Sequence, residues 1–390
     1  MKDSTKVKIK KLIPNIPVVR KRFNENKLKR LRAKLLPEKD IVAGESNAGK
    51  KREIVQQYSE KWSKYTAILN KQLDEYFAHE PALMQRPDVE DLRVDVLFNA
   101  YAYGFEPDEY FFYYIEGKTR EEKEEYISDL EKDILTYALN DVIDIEIFYD
   151  KARTYEKLKK YFKRDAISIE RTSDYKRFLR FIKKHPVFVR KSVGMGRGKG
   201  VSKVDSRGKD KKALFESLIK MGKQILEELV VQSPEMAKFN PTSVNTVRCP
   251  TFRTVRGIEL APCRFRIGQG GSFVDNAGSG GILAGIDPKT GIVFTSGRDE
   301  YCNEYITHPQ TGLRFEGFQV PKWEELIAVV TEMHELFPNM GYISWDMALT
   351  DKGWVLIEAN GSGQFIGTQI VEQKGKKRDI AKMLEGVYSF

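Results

Sequence analysis

Cysteine and histidine are scarce in this sequence, and their scarcity excludes several kinds of site. Three cysteines occur among 390 residues, far apart and without CxxC spacing. This pattern argues against a disulfide framework and against a zinc site, and it favours reduced thiols. None of the four histidines stands beside an obvious nucleophile. The sequence therefore gives little support to catalysis by a Ser/His or Cys/His pair.

Long apolar runs are missing as well. No stretch approaches the roughly 20 apolar residues that a membrane-spanning helix needs. The N-terminus also lacks the apolar segment of a secretory signal peptide. We therefore expect a cytoplasmic protein. Its 390 residues are enough for two or three domains, at roughly 100–200 residues per domain.

Positive charge is concentrated in the first 40 residues. The net charge is +10, and residues 1–40 hold fourteen Lys or Arg against four Asp or Glu, so the remainder is close to neutral. A nucleic-acid-binding domain is therefore not required. Within this basic arm, Leu28, Leu31 and Leu35 are spaced for one helical face. Such an arm can lie on an anionic membrane surface, at the inner membrane face, or meet an acidic polymer; a solvated arm is the alternative.

Changes in composition and periodicity divide the chain into four segments. Residues 1–48 form the basic arm and a small-residue linker, and residues 49–150 form a mainly helical domain. Helices and strands alternate in residues 151–232, whereas strand-like runs dominate residues 233–390. We therefore expect an α+β fold, in which a mainly helical N-terminal domain is followed by an α/β unit and a strand-rich region.

Within the third segment, the pattern predicts where several elements begin and end. Asp150-Lys151 opens the first helix of that segment. A later helix is predicted from Lys211 to Glu228, and a short apolar strand from Leu229 to Gln232.

The strongest site signal lies in Gly341–Gly361. Tyr342–Leu349 and Trp354–Ala359 are rich in β-branched, aromatic and aliphatic residues and flank a turn, which predicts a β-hairpin. A three-residue loop of Asp351-Lys352-Gly353, with a positive φ at the glycine, places Thr350 opposite Trp354.

The same register brings two acids together, because it places Asp346 opposite Glu358. Opposed carboxylates destabilise a strand pair unless something neutralises them. Mg²⁺ takes oxygen ligands, and Asn360 follows Glu358 on one face, so these three residues form a candidate Mg²⁺ site. A surface hairpin with solvated acids is the alternative. Against it, Glu358 is expected to share its face with Trp354 and Leu356, which favours partial burial.

A glycine-rich loop between two predicted strands is the second site signal. Such a loop can present backbone N–H groups and a lysine to phosphate oxygens. Arg190 and Lys191 end the preceding strand and can hold phosphate charge, whereas a flexible hairpin tip is the alternative. The loop leads into a strand and not a helix, so it is not a dinucleotide-binding fingerprint. Its candidate residues are Gly194, Gly196, Gly198, Lys199 and Gly200.

Arginines and a second glycine-rich turn follow in the fourth segment. Arg248 and Arg266 are suited to bidentate contact with phosphate or carboxylate, although either can instead pair with a structural acid. The polar turn Val274–Gly281 can approach a ligand, and a plain hairpin loop is the alternative reading.

The order of these features resembles the ATP-grasp superfamily, and it is most similar to the sugar-transfer-associated ATP-grasp family. That order is a lysine at a helix start, a glycine loop between strands, a short apolar strand, arginines, a glycine-rich turn and Asp…Glu-x-Asn. The resemblance covers about residues 91–370 and includes Tyr103-Gly104-Phe105. It implies an ATP-grasp fold, in which two α/β subdomains clamp ATP, and it implies ATP and Mg²⁺ as cofactors.

The resemblance also implies roles for the lysines and the hinge. Lys151 matches the first nucleotide-binding lysine. Lys191 matches the second, but Arg190 competes for this role because the glycine loop is one residue longer than is usual in the family. The residues whose backbone would meet the adenine edge are Val230, Val231 and Gln232.

The remaining roles concern the metal, the transferred phosphoryl group and the acceptor. Arg248, Arg266 and Lys191 are the catalytic candidates that the resemblance implies, with Arg248 near the γ-phosphate. The implied Mg²⁺ ligands are Asp346, Glu358 and Asn360. The implied neighbours of the acceptor are Arg266, Asn276, Ser279 and Gly280.

These features imply an ATP- and Mg²⁺-dependent ligase. It would activate a carboxylate as an acyl phosphate and join it to an amine or hydroxyl nucleophile, in the modification of a polysaccharide or sugar conjugate. Its partners would be a small-molecule or sugar acid and the nucleophile, and no nucleic acid is expected. A kinase on the same fold and a non-catalytic ATP-binding module are the alternatives.

Overall fold

The structure, a computed structural model, describes residues 17–192, 200–271, 275 and 280–390. Helices and strands divide between two units. One unit comprises Met1–Val142 together with Gln364–Phe390, and the other comprises Ile143–Gly363. The chain thus leaves the first unit, forms the whole of the second and then returns.

Helices form most of the first unit and flank the sheets of the second. No helix among the described residues is long and apolar enough to cross a membrane. In chain order, the helices are α1 (Pro17–Arg32), α2 (Glu38–Ser46), α3 (Ala48–Lys61), α4 (Ser63–His79), α5 (Pro81–Met84), α6 (Val89–Ala102), α7 (Pro107–Phe112), α8 (Arg120–Glu124), α9 (Asp129–Leu139), α10 (Val142–Tyr149), α11 (Lys151–Phe162), α12 (Tyr175–Lys184), α13 (Lys211–Lys220), α14 (Pro234–Ala237), α15 (Trp323–Glu335), α16 (Ile366–Glu372) and α17 (Lys377–Met383).

The strands of the described residues all lie in the second unit, where they build two sheets. In chain order, the strands are β1 (Ala166–Ile169), β2 (Val187–Ser192), β3 (Val201–Asp205), β4 (Gln224–Glu228), β5 (Thr246–Thr254), β6 (Gly257–Leu260), β7 (Cys263–Ile267), β8 (Ile282–Ile286), β9 (Gly297–Arg298), β10 (Glu304–Tyr305), β11 (Tyr342–Thr350) and β12 (Gly353–Asn360).

The leucine face of the basic arm is used inside the first unit. Leu31 is buried against Leu130 and Ile134 of α9, with Leu28 and Leu35 packed beside them. This packing covers the apolar face on which contact with a membrane surface would depend.

The stretch predicted to be a small-residue linker is helical. Residues 38–46 form α2, and a Cβ built on Gly44 would lie 2.1 Å from the Cε2 atom of Phe98. The glycine is therefore explained by close packing on a buried ring and not by chain flexibility.

Residues 364–390 pack in the first unit, although the sequence analysis grouped them with the strand-rich segment 233–390. The buried amide of Gln369 accepts a hydrogen bond from the backbone N–H of Ile127 at 2.8 Å and donates to the Ile127 carbonyl at 2.9 Å. It also donates to the hydroxyl of Tyr113 at 2.9 Å. A buried amide needs such partners, and the helical segment supplies them.

The smaller sheet has the strand order β1-β4-β2-β3, and all of its pairs are antiparallel. Its core combines the apolar faces of α12 and α13 with strand residues such as Ile169, Phe188 and Leu226. The prediction of a helix through Glu228 was wrong. The helix ends at Lys220, and Gly222 adopts φ +84°, which stops helical propagation and frees Gln224–Glu228 to form β4.

The larger sheet has eight strands in the order β10-β9-β8-β7-β5-β11-β12, with β6 paired to β5. Helix α15 covers one face, where the Oγ1 atom of Thr251 and the Nδ1 atom of His334 lie 2.8 Å apart. The indole nitrogen of Trp345 donates to the same Thr251 oxygen at 2.9 Å. Because side chains alternate along a strand, Asp346 points to the opposite face.

The β11–β12 hairpin pairs the two acids through a different register from the predicted one. Thr350 pairs with Gly353 and not with Trp354, so only two residues separate the paired positions, although Gly353 does adopt φ +79°. A β-bulge between the Asp346 and Met347 pairs leaves Ile357 as an extra residue and restores the predicted pairing of Asp346 with Glu358.

The same bulge changes which residues share a face with Glu358. Leu356 pairs with Met347 and Trp354 pairs with Leu349, so both point to the face opposite Asp346 and Glu358. The expectation that Glu358 shares its face with Trp354 and Leu356 was therefore wrong.

Candidate functional site

One face of the larger sheet brings together five of the predicted site residues, Arg248, Arg266, Asp346, Glu358 and Asn360. Asp346 pairs with Glu358 on one side and with Arg248 on the other, so all three point to this face. Thr246 pairs with Arg266, which extends the same face to β7. We call it the site face.

Asp346 is the centre of the charge network on the site face. It is buried, and both of its oxygens accept 2.6 Å hydrogen bonds from the guanidinium of Arg248. Arg266 donates a third bond at 2.6 Å. Burial favours the neutral acid, but the two guanidiniums outweigh burial and hold the pKa of Asp346 well below its usual range. The acid is therefore ionised at any physiological pH.

Arg266 also contacts a second buried acid. Its Nη2 atom lies 3.2 Å from an oxygen of Asp275, whose other oxygen accepts a short hydrogen bond from the hydroxyl of Thr246. Burial raises the pKa of Asp275 above its ordinary value, although Arg266 opposes this effect. The network thus runs from Arg248 through Asp346 and Arg266 to Asp275.

Glu358 binds a lysine from the start of α11. The Nζ atom of Lys151 lies 2.7 Å from a carboxylate oxygen of Glu358. Asp150 caps this helix by accepting from the backbone N–H groups of Ala152 and Arg153, as its position before Lys151 predicted. The cap fixes the helix start and thereby the position of the Lys151 backbone.

Lys191 reaches the same region from the smaller sheet. A pocket beside Glu358 is lined by both lysines, Lys151 and Lys191, and by Glu227 and Ile357. The Nζ atom of Lys191 lies 3.0 Å from Glu227. Arg164 pairs with the same buried carboxylate at 2.5 Å. Burial opposes ionisation of Glu227, but Arg164 and Lys191 lower its pKa to about 2.

Arg190 lies on the opposite face of the smaller sheet from Lys191. Its guanidinium donates to the hydroxyl of Ser202 at 2.9 Å and to the side-chain oxygen of Gln224 at 3.1 Å. Of the two candidates for the phosphate-binding position, Lys191 is the one that lines the pocket with Lys151 and Glu358.

Asn360 brings an amide to the site face beside the two acids. It pairs with Ser344, two positions from the Asp346–Glu358 pair, and its Nδ2 atom is buried without a hydrogen-bond partner among the described residues. The Oγ atom of Ser344 is also buried without one. Buried polar atoms normally have partners, and exchanging the amide nitrogen and oxygen by a flip turns the orphan atom into a cation ligand.

The donor set on the site face therefore fits a hard divalent cation. Asp346 and Glu358 supply carboxylates, and Asn360 supplies an amide oxygen, which are ligands that Mg²⁺ prefers. Arg248 pairs with Asp346, and Lys151 pairs with Glu358.

The predicted hinge connects the two sheets, but it is not a strand. Strand β4 ends at Glu228, and residues 229–232 continue in a non-strand conformation, so the predicted strand was wrong. The side chain of Gln232 is occupied in bonding the backbone of Asn240, Ser243 and Asn245. Val230 is half-buried, and Val231 is 78% exposed.

The glycine loops are only partly described. Gly200 adopts φ +84°, and its carbonyl accepts from the backbone N–H of Ser192 at 3.1 Å. Gly280 adopts φ +82°. Six predicted residues lie outside the described part of the chain: Gly194, Gly196, Gly198, Lys199, Asn276 and Ser279.

Two residues of the site were missed at the sequence level, Arg164 and Glu227. The sequence analysis placed Glu227 in a helix. Residues two apart share a face in a strand but not in a helix, so the relation of Glu227 to Ile225 was not informative there. Reading Gly222 as the end of that helix would have placed Glu227 on a strand. No sequence signal marked Arg164, because its partners are up to 193 residues away in the chain.

Comparison with solved structures gives remote likenesses. An N5-carboxyaminoimidazole synthetase from Staphylococcus aureus complexed with ADP is 14% identical, with a TM-score of 0.39 and coverage of 64% of this chain and 54% of that one. A D-alanine–D-alanine ligase from Bacillus anthracis complexed with ATP is 15% identical, with a TM-score of 0.37 and coverage of 62% and 63%.

A third likeness is to the D-Ala:D-Ser ligase VanG from Enterococcus faecalis. It is 15% identical, with a TM-score of 0.40 and coverage of 67% of each chain. The chain thus spans about half to two thirds of the length of these three proteins. No curated protein matches the chain.

Comparison with family models gives a match over residues 130–384 to the model described as sugar-transfer associated ATP-grasp. The match covers both sheets of the second unit and every residue of the site face. The chain belongs to the sugar-transfer-associated ATP-grasp family, and its fold is the ATP-grasp fold.

Proposed function

We propose that this chain is an ATP- and Mg²⁺-dependent ligase that activates a carboxylate and joins it to an amine or hydroxyl. One observation carries the proposal. A single sheet face presents two paired acids and an amide, and two lysines and two arginines surround them. Family membership makes ATP the nucleotide that this arrangement would hold.

Each charged group has a place in phosphoryl transfer. Lys151 and Lys191 would bind the phosphates, and Arg248 would stabilise the charge of the transferred group. Asp346, Glu358 and Asn360 are the residues that would hold Mg²⁺, which, when bound, neutralises phosphate charge. The unpaired backbone of Leu229–Val231 supports the predicted contact with the adenine edge, since no hydrogen bond of these residues occurs within the described chain.

The reaction would proceed in two steps, transfer of the phosphoryl group and displacement of phosphate. A carboxylate oxygen of the acceptor attacks the γ-phosphorus, and the bond to the β–γ bridging oxygen breaks, releasing ADP. The nucleophile then attacks the acyl carbon, phosphate leaves with the bonding electron pair, and the nucleophile loses its proton. Positioning and charge neutralisation suffice for the first step, so no histidine is required.

Two of the four histidines are buried, which is consistent with a reaction that needs no histidine. His334 is fully buried between Thr251 and the Met340 carbonyl, and burial lowers its pKa to about 4. His308 is also buried, and burial lowers its pKa. Both are structural groups.

The acceptor is proposed to be a sugar acid or a similar small acid. The support for a sugar is the description of the family, sugar-transfer associated. The arginines of the site face support an anionic acceptor, since guanidiniums bind carboxylates through paired hydrogen bonds.

An acceptor screen with hydroxylamine tests the proposal. We expect ADP release with a carboxylic acid and trapping of the activated acid as a hydroxamate. Asp346→Asn should abolish ADP release, whereas Asp351→Asn, at the exposed hairpin turn, should leave it unchanged. ADP release without hydroxamate indicates a kinase that phosphorylates a hydroxyl. The absence of ADP with every acceptor indicates a non-catalytic ATP-binding module.

A further inference from the structure

The site face continues beyond Arg266 to an arginine that the assigned roles leave unused. Leu283 pairs with Arg266 on one side and with Arg298 on the other, so the three side chains share the site face. With neighbouring strands roughly 5 Å apart, the Cα atoms of the two arginines are about 10 Å from each other. Gly297 confirms the direction, because its missing side chain would meet Ile282 and Phe315 in the core instead.

Arg298 has one acid beside it, Glu304, which pairs with it across β9 and β10. Its Nη1 atom donates to the Cys302 carbonyl at 3.0 Å. Its Nη2 atom lies 3.7 Å from Glu304, and its Nε atom is buried without a hydrogen-bond partner within the described chain. Glu304 is 53% exposed and accepts from the hydroxyl of Ser296, so its ion pair with Arg298 is a weak one.

The loop that holds Arg298 is rigidly built around one buried acid. One oxygen of Asp299 accepts from the backbone N–H groups of Tyr301 and Asn303. Its other oxygen accepts from the Asn303 amide at 2.9 Å and from the Tyr305 hydroxyl at 3.0 Å. The Cys302 carbonyl is therefore fixed, which positions the guanidinium before any ligand arrives.

Positive charge also exceeds negative charge in the interior of this region. Arg248, Arg264 and Arg266 cluster around Asp346 and Asp275 among the described residues, whereas the neighbouring acid Glu358 is balanced by Lys151. Burial, reinforced by Arg248, lowers the pKa of Arg264 to about 9. A cluster with one guanidinium more than carboxylates is stabilised by an additional anion.

We propose that Arg298, together with Arg266, binds a second anionic group of the acceptor, so that the acid substrate is at least a dianion. This inference rests on the proposed ligase function. The carboxylate to be activated lies towards Arg248, and the second group, a carboxylate or a phosphate, pairs with the Arg298 fork. A planar guanidinium suits either oxyanion through two parallel hydrogen bonds.

The first test compares acceptors that differ by one anionic group, in the parent and in Arg298→Gln. We expect the parent to prefer dianionic acids. In the variant, KM for the acceptor should rise about tenfold or more, while KM for ATP and kcat change less than about threefold. Arg298→Lys should give an intermediate KM because it keeps the charge and loses the fork. Phosphorylated acids and dicarboxylates, run as separate arms, identify the second group.

The matched control is Arg314→Gln, since Arg314 is exposed and, within the described part of the chain, its side chain pairs only with Glu316. It should leave every kinetic constant unchanged. A parent that uses monoanionic acids as well as dianionic ones, or an Arg298→Gln variant with an unchanged acceptor KM, overturns the proposal.

A binding measurement separates failure of the subsite from failure of the ligase function. Inorganic phosphate and malonate are titrated without ATP, and stabilisation is read as a shift in Tm. We expect both anions to raise Tm in the parent and in Arg314→Gln, and the shift to fall by at least about half in Arg298→Gln. If no acid releases ADP, the ligase function fails, and this titration alone decides the subsite. Equal shifts in parent and Arg298→Gln overturn it.

Discussion

Arg164 and Glu227 form a buried ion pair, with Nη2 and Oε2 2.5 Å apart, and the same guanidinium holds the bulged strand of the site. Its Nη1 atom donates to the Leu356 carbonyl at 2.5 Å, and its Nη2 atom donates to the Ile357 carbonyl at 3.4 Å. Lys191 approaches the same carboxylate. One buried arginine thus links the smaller sheet to the hairpin bulge that pairs Asp346 with Glu358.

Arg164→Ala should lower the free energy of unfolding by about 3–5 kcal/mol, because it leaves the buried Glu227 charge with Lys191 alone and removes the donor to the Leu356 carbonyl. Arg164→Lys should lower the free energy of unfolding by less, because a lysine keeps the positive charge. It should still be less stable than the parent, because a lysine lacks the forked guanidinium. Urea unfolding gives the values, with Arg207→Ala as a control at an exposed pair. Equal losses for Arg164→Ala and Arg207→Ala would show that the buried link contributes little.

Lys191→Gln and Arg190→Gln should have different effects, because the two side chains lie on opposite faces of β2. We expect Lys191→Gln to raise KM for ATP by about tenfold or more through the loss of a phosphate contact. Arg190→Gln should reduce stability by roughly 1–2 kcal/mol through its lost bonds to Ser202 and Gln224, and KM for ATP should stay nearly constant. The reverse pattern in steady-state kinetics would assign the phosphate role to Arg190.

Asn360→Ala should raise the Mg²⁺ concentration needed for half-maximal ADP release by about tenfold. Its stability cost should be below roughly 1 kcal/mol, because the buried Nδ2 atom gives up no hydrogen bond within the described chain. A Mg²⁺ titration of activity makes the measurement, and Asp351→Asn serves as the control. An unchanged Mg²⁺ requirement would remove Asn360 from the metal site.

The contribution of His334 to stability should fall as the pH drops from about 6.5 to 4.5, whereas the buried acid Glu109, whose pKa is raised by burial, contributes in the opposite direction. His334 has its pKa lowered to about 4 in the folded state, so in this window the unfolded chain binds a proton that the folded chain does not. Lowering the pH therefore favours unfolding, by up to about 3 kcal/mol near pH 4. Asp346 and Glu227 have pKa values below this window, because their cationic partners lower them. Their ion pairs are therefore lost only at lower pH.

Urea unfolding of the parent and of His334→Gln at pH 7, 5.5 and 4.5 measures this contribution as the difference between the two slopes, and the parent should lose more stability than the variant as the pH falls. His308 contributes in the same direction, because its pKa is also lowered by burial. A slope that is equally steep in His334→Gln would mean that another group takes up the proton.

Two glycine-to-alanine changes in neighbouring helices should have different effects on stability. Gly44→Ala places a Cβ 2.1 Å from the buried ring of Phe98 and should cost about 1–3 kcal/mol. Gly49→Ala meets only the Asn47 side chain at 3.2 Å, and its better helix propensity should leave stability equal or raise it by at most about 1 kcal/mol. Thermal unfolding of both variants decides, and destabilisation by both would point to a general intolerance of these helices.

Local sequence patterns predicted the start of α11 and the pairing of two acids across a hairpin, and the roles of the site residues stay predictions. Asp150 was expected to open a helix, and it caps α11. Asp346 was expected opposite Glu358, but for a partly wrong reason. The turn is one residue shorter than the predicted loop, and the bulge at Ile357 compensates for the difference. A bulge is set by tertiary contacts such as those of Arg164, which a period-two pattern does not contain.

The remaining errors have the same origin in contacts between distant parts of the chain. The leucine face of the arm was compatible with a membrane surface, but only the fold shows that α9 covers it. The helix predicted through Glu228 was apolar enough to continue, and a single glycine at 222 ended it. The return of residues 364–390 to the first unit leaves no local mark in composition.

The interrupted layout of the first unit has a consequence for the order of folding during translation. Residues 143–363 are complete, and able to fold, before the last segment of the chain has been synthesised. The first unit must wait for Gln369, whose amide satisfies the backbone at Ile127. We therefore expect the nucleotide-binding half to mature on the ribosome first, and the helical half that precedes it in the gene to close last.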